Sequence, residues 1–330
     1  MWTLDRWKQA RRVDHGTIKI FGAKFHPRLR DPAGRPNLKV FDPYVNAFAQ
    51  ANNNWDKVAA LGDIVGTAHQ FINAFVPKPN PGGQNVRYKT PVDDLLVEAR
   101  NELNNICGAG MALGREANIV SMTNNVAVAI RTITVNVIYL AAVGAVPNLV
   151  NVDAVIDGQI LTANALAAFT TAGLRIVRQN AATHVVTDFN NDSILIQGGA
   201  NDGLFDESRL PIYRLVGYLN TQVWTGRVDV VYHDGFADQD VQGFTARMSG
   251  VYAGRTPNTR PVVIVRMTPC PGGNLTHPTT LAHEIGHAVT DCGQHSAQPN
   301  DLMASGAIRG VANNLSAGER AWFRNNPYAL

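Results

Sequence analysis

Charge is scarce in this 330-residue sequence: 17% of residues are Asp, Glu, Lys or Arg, and the formal net charge is +3. So even a balance offers no overall footprint for nucleic acid. Cysteine is scarcer still. The three residues Cys107, Cys270 and Cys292 cannot all pair, which excludes a disulfide-built scaffold. A single Cys270–Cys292 bridge and reduced thiols both stay open. No apolar run is long enough to span a bilayer. The basic opening MWTLDRWKQARRVDHG is followed by no apolar segment, so no cleavable leader is expected. The expected location is the cytoplasm, or beyond it by a leaderless export route. Internal repeats and low-complexity tracts are absent too.

What is present is a globular profile, 45% apolar, long enough for one large domain or two ordinary ones. The charge is unevenly spread. Residues 1–40 hold ten Lys and Arg against three Asp, a local +7 that leaves −4 for the rest. This stretch reads as a solvated basic arm, or as a docking arm for an acidic partner such as export or injection machinery. Pro27, Pro32 and Pro36 predict that residues 1–42 are irregular. Apolar residues at three- and four-residue spacing predict helix over 43–76. PKPNPGG at 77–83 is a loop, and 90–106 is an amphipathic helix with Thr90 as cap and Pro91 at its first position.

The pattern changes near residue 130. TITVNVIYLAAV (132–143) and LRIVRQ (174–179) read as strands around a helix over 152–173, which implies a right-handed parallel β-α-β unit. Further strands are expected at 227–236, 243–252 and 260–267, then a helix from Pro278 and a last one at 314–326. Ser316 and Glu319 stand at capping-box spacing there. The expected organisation is a basic arm (1–42), a helical region (43–129) and an α+β domain (130–330). The helical region could serve as a prodomain, a docking module or a substrate-recognition element.

The chemistry concentrates in HEIGHAVTDCGQHSAQPNDLM, 283–303. His283 and His287 are four apart, one turn on one helical face, where two imidazoles can grip one metal ion. Zn2+ suits such ligands, and Glu284 beside them can act as general base toward a metal-bound water. A straight helix rises about 6 Å every four residues, so Asp291 overshoots as a third ligand. His295 is better placed if Gly293 takes the left-handed conformation that reverses the chain. Asp291, His233 and Cys292 remain alternatives. Asp291 is also a candidate for orienting a histidine or serving the helix end.

Here the sequence resembles the metzincin zinc metalloproteases, whose motif is H-E-x-x-H-x-x-G-x-x-H/D followed by a turn bearing a methionine. His283, Glu284, His287, Gly293 and His295 match in type, and HSAQPNDLM closely resembles the matrixin segment from third histidine to Met-turn. The resemblance covers about residues 130–330. It implies a metzincin-like catalytic domain with a twisted, mixed five-stranded sheet, a zinc helix and a Met-turn at Met303. It also implies peptide-bond hydrolysis of a protein or peptide substrate lying antiparallel to an edge strand, here GFTARMSG (243–250). Two residues too many separate His287 from His295, and no tyrosine follows Met303 closely, so a tyrosine ligand is not implied. In matrixins a propeptide thiol can cap the zinc. Cys107, in NNICGAG, matches that only as Cys-Gly, and a buried structural cysteine is the plainer reading.

Weaker signals complete the reading. Asp192, Asp202 and Asp206 could hold a structural Ca2+, although the EF-hand spacing is missing and a surface loop accounts for them. Sequons stand at Asn191, Asn274 and Asn314. A specificity wall is expected within Ser305–Asn314. The function expected is that of a zinc endopeptidase, exported or injected as a toxin or effector. The competing class is a catalytically inactive binding module of the same fold.

Overall fold

A computed structural model of the chain describes residues 2–11, 29, 32, 37–74, 86–108, 112–141, 149–186, 219, 222–233, 242–246, 260–267, 279–305 and 314–329. The chain divides into two compact units, Met1–Val128 with Leu315–Asn325, and Ala129–Asn314 with Asn326–Leu330.

The first unit is helical. Its elements are α1 (Leu4–Ala10), a 3-10 turn (Leu38–Phe41), α2 (Asp42–Gln50), α3 (Asn54–Ala74), α4 (Val86–Cys107) and α5 (Ala112–Thr123). The segment expected to be irregular thus begins with a helix, capped by the Thr3 hydroxyl on the Arg6 amide at 3.2 Å. The cause is aromatic. Trp7 is buried, with ring centroids 5.7 Å from Trp2 and 5.4 Å from Phe41, and its indole N–H donates to Asp42 at 3.0 Å. Arg11 pairs with the same carboxylate at 2.8 Å. The helix expected over 43–76 is broken at 51–53, because the Asn53 side chain accepts from the Asp56 amide at 2.9 Å and caps α3 afresh. Helix α4 starts before the expected cap, so Pro91 lies inside it.

The second unit holds the sheet. In chain order come β1 (Arg131–Leu140), α6 (Leu149–Ala165), α7 (Ala167–Ala172), β2 (Leu174–Arg178), β3 (His184–Val186), β4 (Val228–His233), β5 (Gly243–Ala246), β6 (Val262–Arg266) and α8 (Thr280–Thr290). The strand order is β2-β1-β4-β6-β5, with β3 also on β1. β2 pairs with Arg131–Val135 and β3 with Ile138–Leu140, one after the other along the same strand. All pairs are parallel except β5 with β6. The five expected strands are present, and the β-α-β crossover is parallel as expected. β3 is additional. The expected single helix is two, because Asn164 turns back to pair with both the amide (2.7 Å) and the carbonyl (2.9 Å) of Ile176 on β2. Every residue of β4 and β6 is buried, as suits strands covered on both faces. Asp229 lies under this cover. Burial pushes its carboxyl above the usual range, while Asn136 and Arg260 oppose the rise.

The last helix, α9 (Ala317–Arg324), carries the expected capping box, with Ser316 and Glu319 bonded reciprocally. It packs in the helical unit although the sequence reading joined it to the α+β domain. Trp322 and Phe323 lie 4.6 and 5.9 Å from Trp55 of α3, and an apolar stripe alone does not say which neighbour it meets.

Candidate metal centre

Helix α8 is buried along its length from Thr280 to Val289 and packs on β5 and β6. Its apolar residues Leu281, Ile285 and Val289 hold it to the core. That anchorage carries three polar side chains inward: His283, Glu284 and His287 are 3%, 6% and 5% exposed. The two imidazoles, one turn apart, meet edge to face at 4.6 Å with an interplanar angle of 90°.

Their hydrogen bonds fix which nitrogen faces the site. His283 donates from Nδ1 to the Leu302 carbonyl at 2.7 Å, and His287 from Nδ1 to the Cys292 carbonyl at 2.5 Å. A carbonyl accepts only, so each Nδ1 carries a hydrogen, and Nε2 is the ring nitrogen turned toward the other histidine. Those two Nε2 atoms stand 3.0 Å apart. The donor set therefore fits a metal ion, and imidazole donors suit zinc.

His295 completes the group. Ligand atoms of His283, His287 and His295 all lie within 4.8 Å of one another. Among the described residues this is the convergent set, and His233, Cys292 and Asp291 are not in it. His233 ends β4 as a buried residue. His295 is exposed, its ring 5.3 Å from His283 and nearly parallel to it, at 12°.

The longer connection is resolved by one residue. Asp291, not Gly293, takes the left-handed conformation that ends the helix, with φ 50° and ψ 39°. Asp tolerates that region because its short polar side chain can bond locally. Four positions separate His287 from Asp291 and four separate Asp291 from His295, where the metzincin motif has three and three around its glycine. The two extra residues are thus divided evenly about the turn. Asp291 is exposed at the helix end; burial raises the Tyr328 phenol, and the Asp291 charge adds to the rise. The acceptors that orient the two buried histidines are main-chain carbonyls.

Met303 lies in a tight turn and is fully buried. The Ala304 amide donates to the Asp301 carbonyl at 3.2 Å, and the Asp301 carboxylate accepts from the Met303 amide at 2.8 Å. The Ser296 amide donates to the Met303 carbonyl at 2.9 Å, joining this turn to the residue after His295. The same turn supplies the Leu302 carbonyl that orients His283.

Sequence reasoning missed two residues of β5. The Thr245 hydroxyl lies 2.8 Å from the Glu284 carbonyl oxygen and 2.7 Å from Oε2 of its carboxylate. A Cβ at Gly243 would stand 2.8 Å from Glu284 Cγ and 2.6 Å from Thr280 Cγ2, so only glycine lets the strand come this close. Alternation along the strand was the one available signal, and it does not name a partner on a distant helix.

Of the other expectations, Cys107 ends α4 in the helical unit. Pro278, Cys270, the calcium candidates Asp192, Asp202 and Asp206, residues 247–250 of the edge strand and the segment 306–313 lie outside the described residues. No described helix is long and apolar enough to cross a membrane.

No protein family matches the sequence, and no curated protein does. Among solved structures, the chain is similar to the crystal structure of metalloproteinase-II from Bacteroides fragilis, with a TM-score of 0.35 and 19% identity. That match covers 60% of this chain and 54% of the other, little more than half its length.

Proposed function

We propose that the unit bearing the sheet is a zinc-dependent endopeptidase, with His283, His287 and His295 as ligands and Glu284 as general base. The observation that carries this reading is the convergence of three imidazoles within 4.8 Å, two of them turned by carbonyls so that Nε2 faces the group. A bound Zn2+ supplies Lewis acidity and makes a water acidic enough to attack a carbonyl near neutral pH. Glu284 takes the proton of the attacking water and returns it to the leaving amine. Its burial next to His283 supports that role, since a shielded carboxylate exchanges its proton with substrate rather than solvent.

Met303 is assigned to a Met-turn, which its burial and the link from Leu302 to His283 support. The substrate is assigned as an extended peptide. β5 ends the strand order of the described sheet, and a peptide paired on its outer edge runs along the strand whose Gly243 and Thr245 touch Glu284. Delivery as a toxin or effector through the basic segment 1–40 belongs to the same proposal and rests on that segment's charge.

The test is metal analysis combined with Glu284→Ala. One zinc per chain is expected in both proteins, with cleavage of a generic protein substrate reduced at least about 100-fold in the variant. Stoichiometric zinc without Glu284-dependent cleavage overturns the peptidase reading and leaves a metal-binding module.

A further inference from the structure

We infer that Thr245 is the residue that positions the Glu284 carboxylate, an inference that rests on the peptidase reading and deepens it. Thr245 stands on β5 and Glu284 on α8, 39 residues apart in sequence. Both are buried, at 5% and 6% exposure, so water does not readily replace either. The hydroxyl has one hydrogen, and two acceptors of the same residue lie within its reach. The charged carboxylate is the stronger acceptor, so the hydrogen goes to Oε2. That one bond ties the carboxylate to β5 across the packed face of α8. The bond restricts the torsions of the Glu284 side chain.

Gly243 works on the other oxygen. It lies two residues earlier, on the same face of the strand. A Cβ there would come within 3.0 Å of Glu284 Oε1, so the strand leaves room on one side while Thr245 holds the other. Valine at 245 keeps the shape and removes the donor. Oε2 then lacks that bond in a buried place, and the carboxylate turns to find another. A displacement of about 1 Å is enough to cost on the order of 100-fold in rate.

The experiment compares Thr245→Val, Thr245→Ser and Gly243→Ala with the zinc-loaded wild type and Glu284→Ala. Zinc content and kcat and KM on one peptide are measured, together with a crystal structure of metal-free Thr245→Val. Thr245→Val is expected to lose about 10- to 100-fold in kcat with KM held within about twofold. Thr245→Ser is expected to recover most of the loss, with one zinc per chain throughout. In the crystal the Glu284 carboxylate is expected to have turned away from residue 245. Wild-type kcat in Thr245→Val, failure of serine to rescue, or an unmoved carboxylate overturns the inference. If Thr245→Val does not fold, Gly243→Ala decides: a kcat loss at constant KM supports the hold of β5 on the carboxylate, and wild-type kcat overturns it. Cleavage lost in Glu284→Ala but kept in Thr245→Val sinks this inference alone. A wild type without Glu284-dependent cleavage sinks the peptidase reading and this inference with it.

Discussion

Asp291 offers the sharpest test of how the long connection delivers His295. Its left-handed backbone ends α8, is followed by the Cys292 carbonyl that orients His287, and starts the run to His295. Alanine at this position must hold the same φ of 50° without a side chain that bonds locally. The left-handed region costs an ordinary L-residue about 1–2 kcal/mol. In the metal-free protein the turn can relax into another conformation, and binding must then restore it against that cost. The bound is therefore a loss of metal affinity of about 5- to 30-fold, since about 1.4 kcal/mol is a factor of ten. Glycine takes the left-handed region freely and asparagine readily, so Asp291→Gly and Asp291→Asn are expected to stay within about threefold of wild type. A competitive chelator titration of Zn2+ at fixed neutral pH measures all four proteins. Wild-type affinity in Asp291→Ala refutes the conformational argument. Equal losses in the alanine, glycine and asparagine variants refute it too, by tracing the effect to the carboxylate charge.

Two further predictions concern the helical unit. A Cβ at Gly318 would stand 2.2 Å from the Val58 carbonyl oxygen and 3.0 Å from the Gly62 Cα, both backbone atoms that cannot swing aside. Gly318→Ala is expected to destabilise by about 1–3 kcal/mol through overpacking, and an unchanged denaturation midpoint rejects the close crossing of α3 and α9. At Glu116, burial alone would raise the carboxyl, but the bonds from Arg100 and His69 outweigh it and hold it below the usual range. A depressed carboxylate stabilises above its unfolded pKa and loses that contribution as pH falls through the folded one. The wild type is therefore expected to lose stability on acidification more steeply than Glu116→Gln, whose neutral amide does not titrate. Parallel pH profiles of the two melting temperatures contradict this.

What the sequence revealed depended on range. The strands around 131–140, 174–178 and 262–266 were legible because Val and Ile runs bounded by turns are local signals, as were the HEIGH helix and the Ser316–Glu319 cap. His295 was expected from a known pattern, and it joins His283 and His287 in the described cluster. The turn residue was misread. Glycine is the usual left-handed residue, and Gly293 stood in plain view while Asp291, which also tolerates that region, carried the reversal. Helix α1 was missed because its cause is nonlocal: Trp7 is sequestered by Phe41 and Asp42. β3 was missed because three residues carry too little pattern to register. Thr245 was out of reach for the same reason as α1, since a threonine in a strand is ordinary until its neighbour on another element is known.

The route of the chain has a consequence for the order in which the molecule can be made. Residues 315–325 complete the helical unit, yet they leave the ribosome after the whole of 129–314. A nascent chain that has already produced all three histidines and Glu284 still leaves Trp55 without Trp322 and Phe323. N-terminal-first folding, the common habit of multidomain chains, cannot finish here in sequence order. A cut at any single peptide bond between the two units likewise separates one from a segment it requires. Dissecting this protein by expressing 1–128 or 129–330 therefore yields an incomplete helical unit, or a sheet-bearing unit trailing an amphipathic helix whose apolar face has no seat.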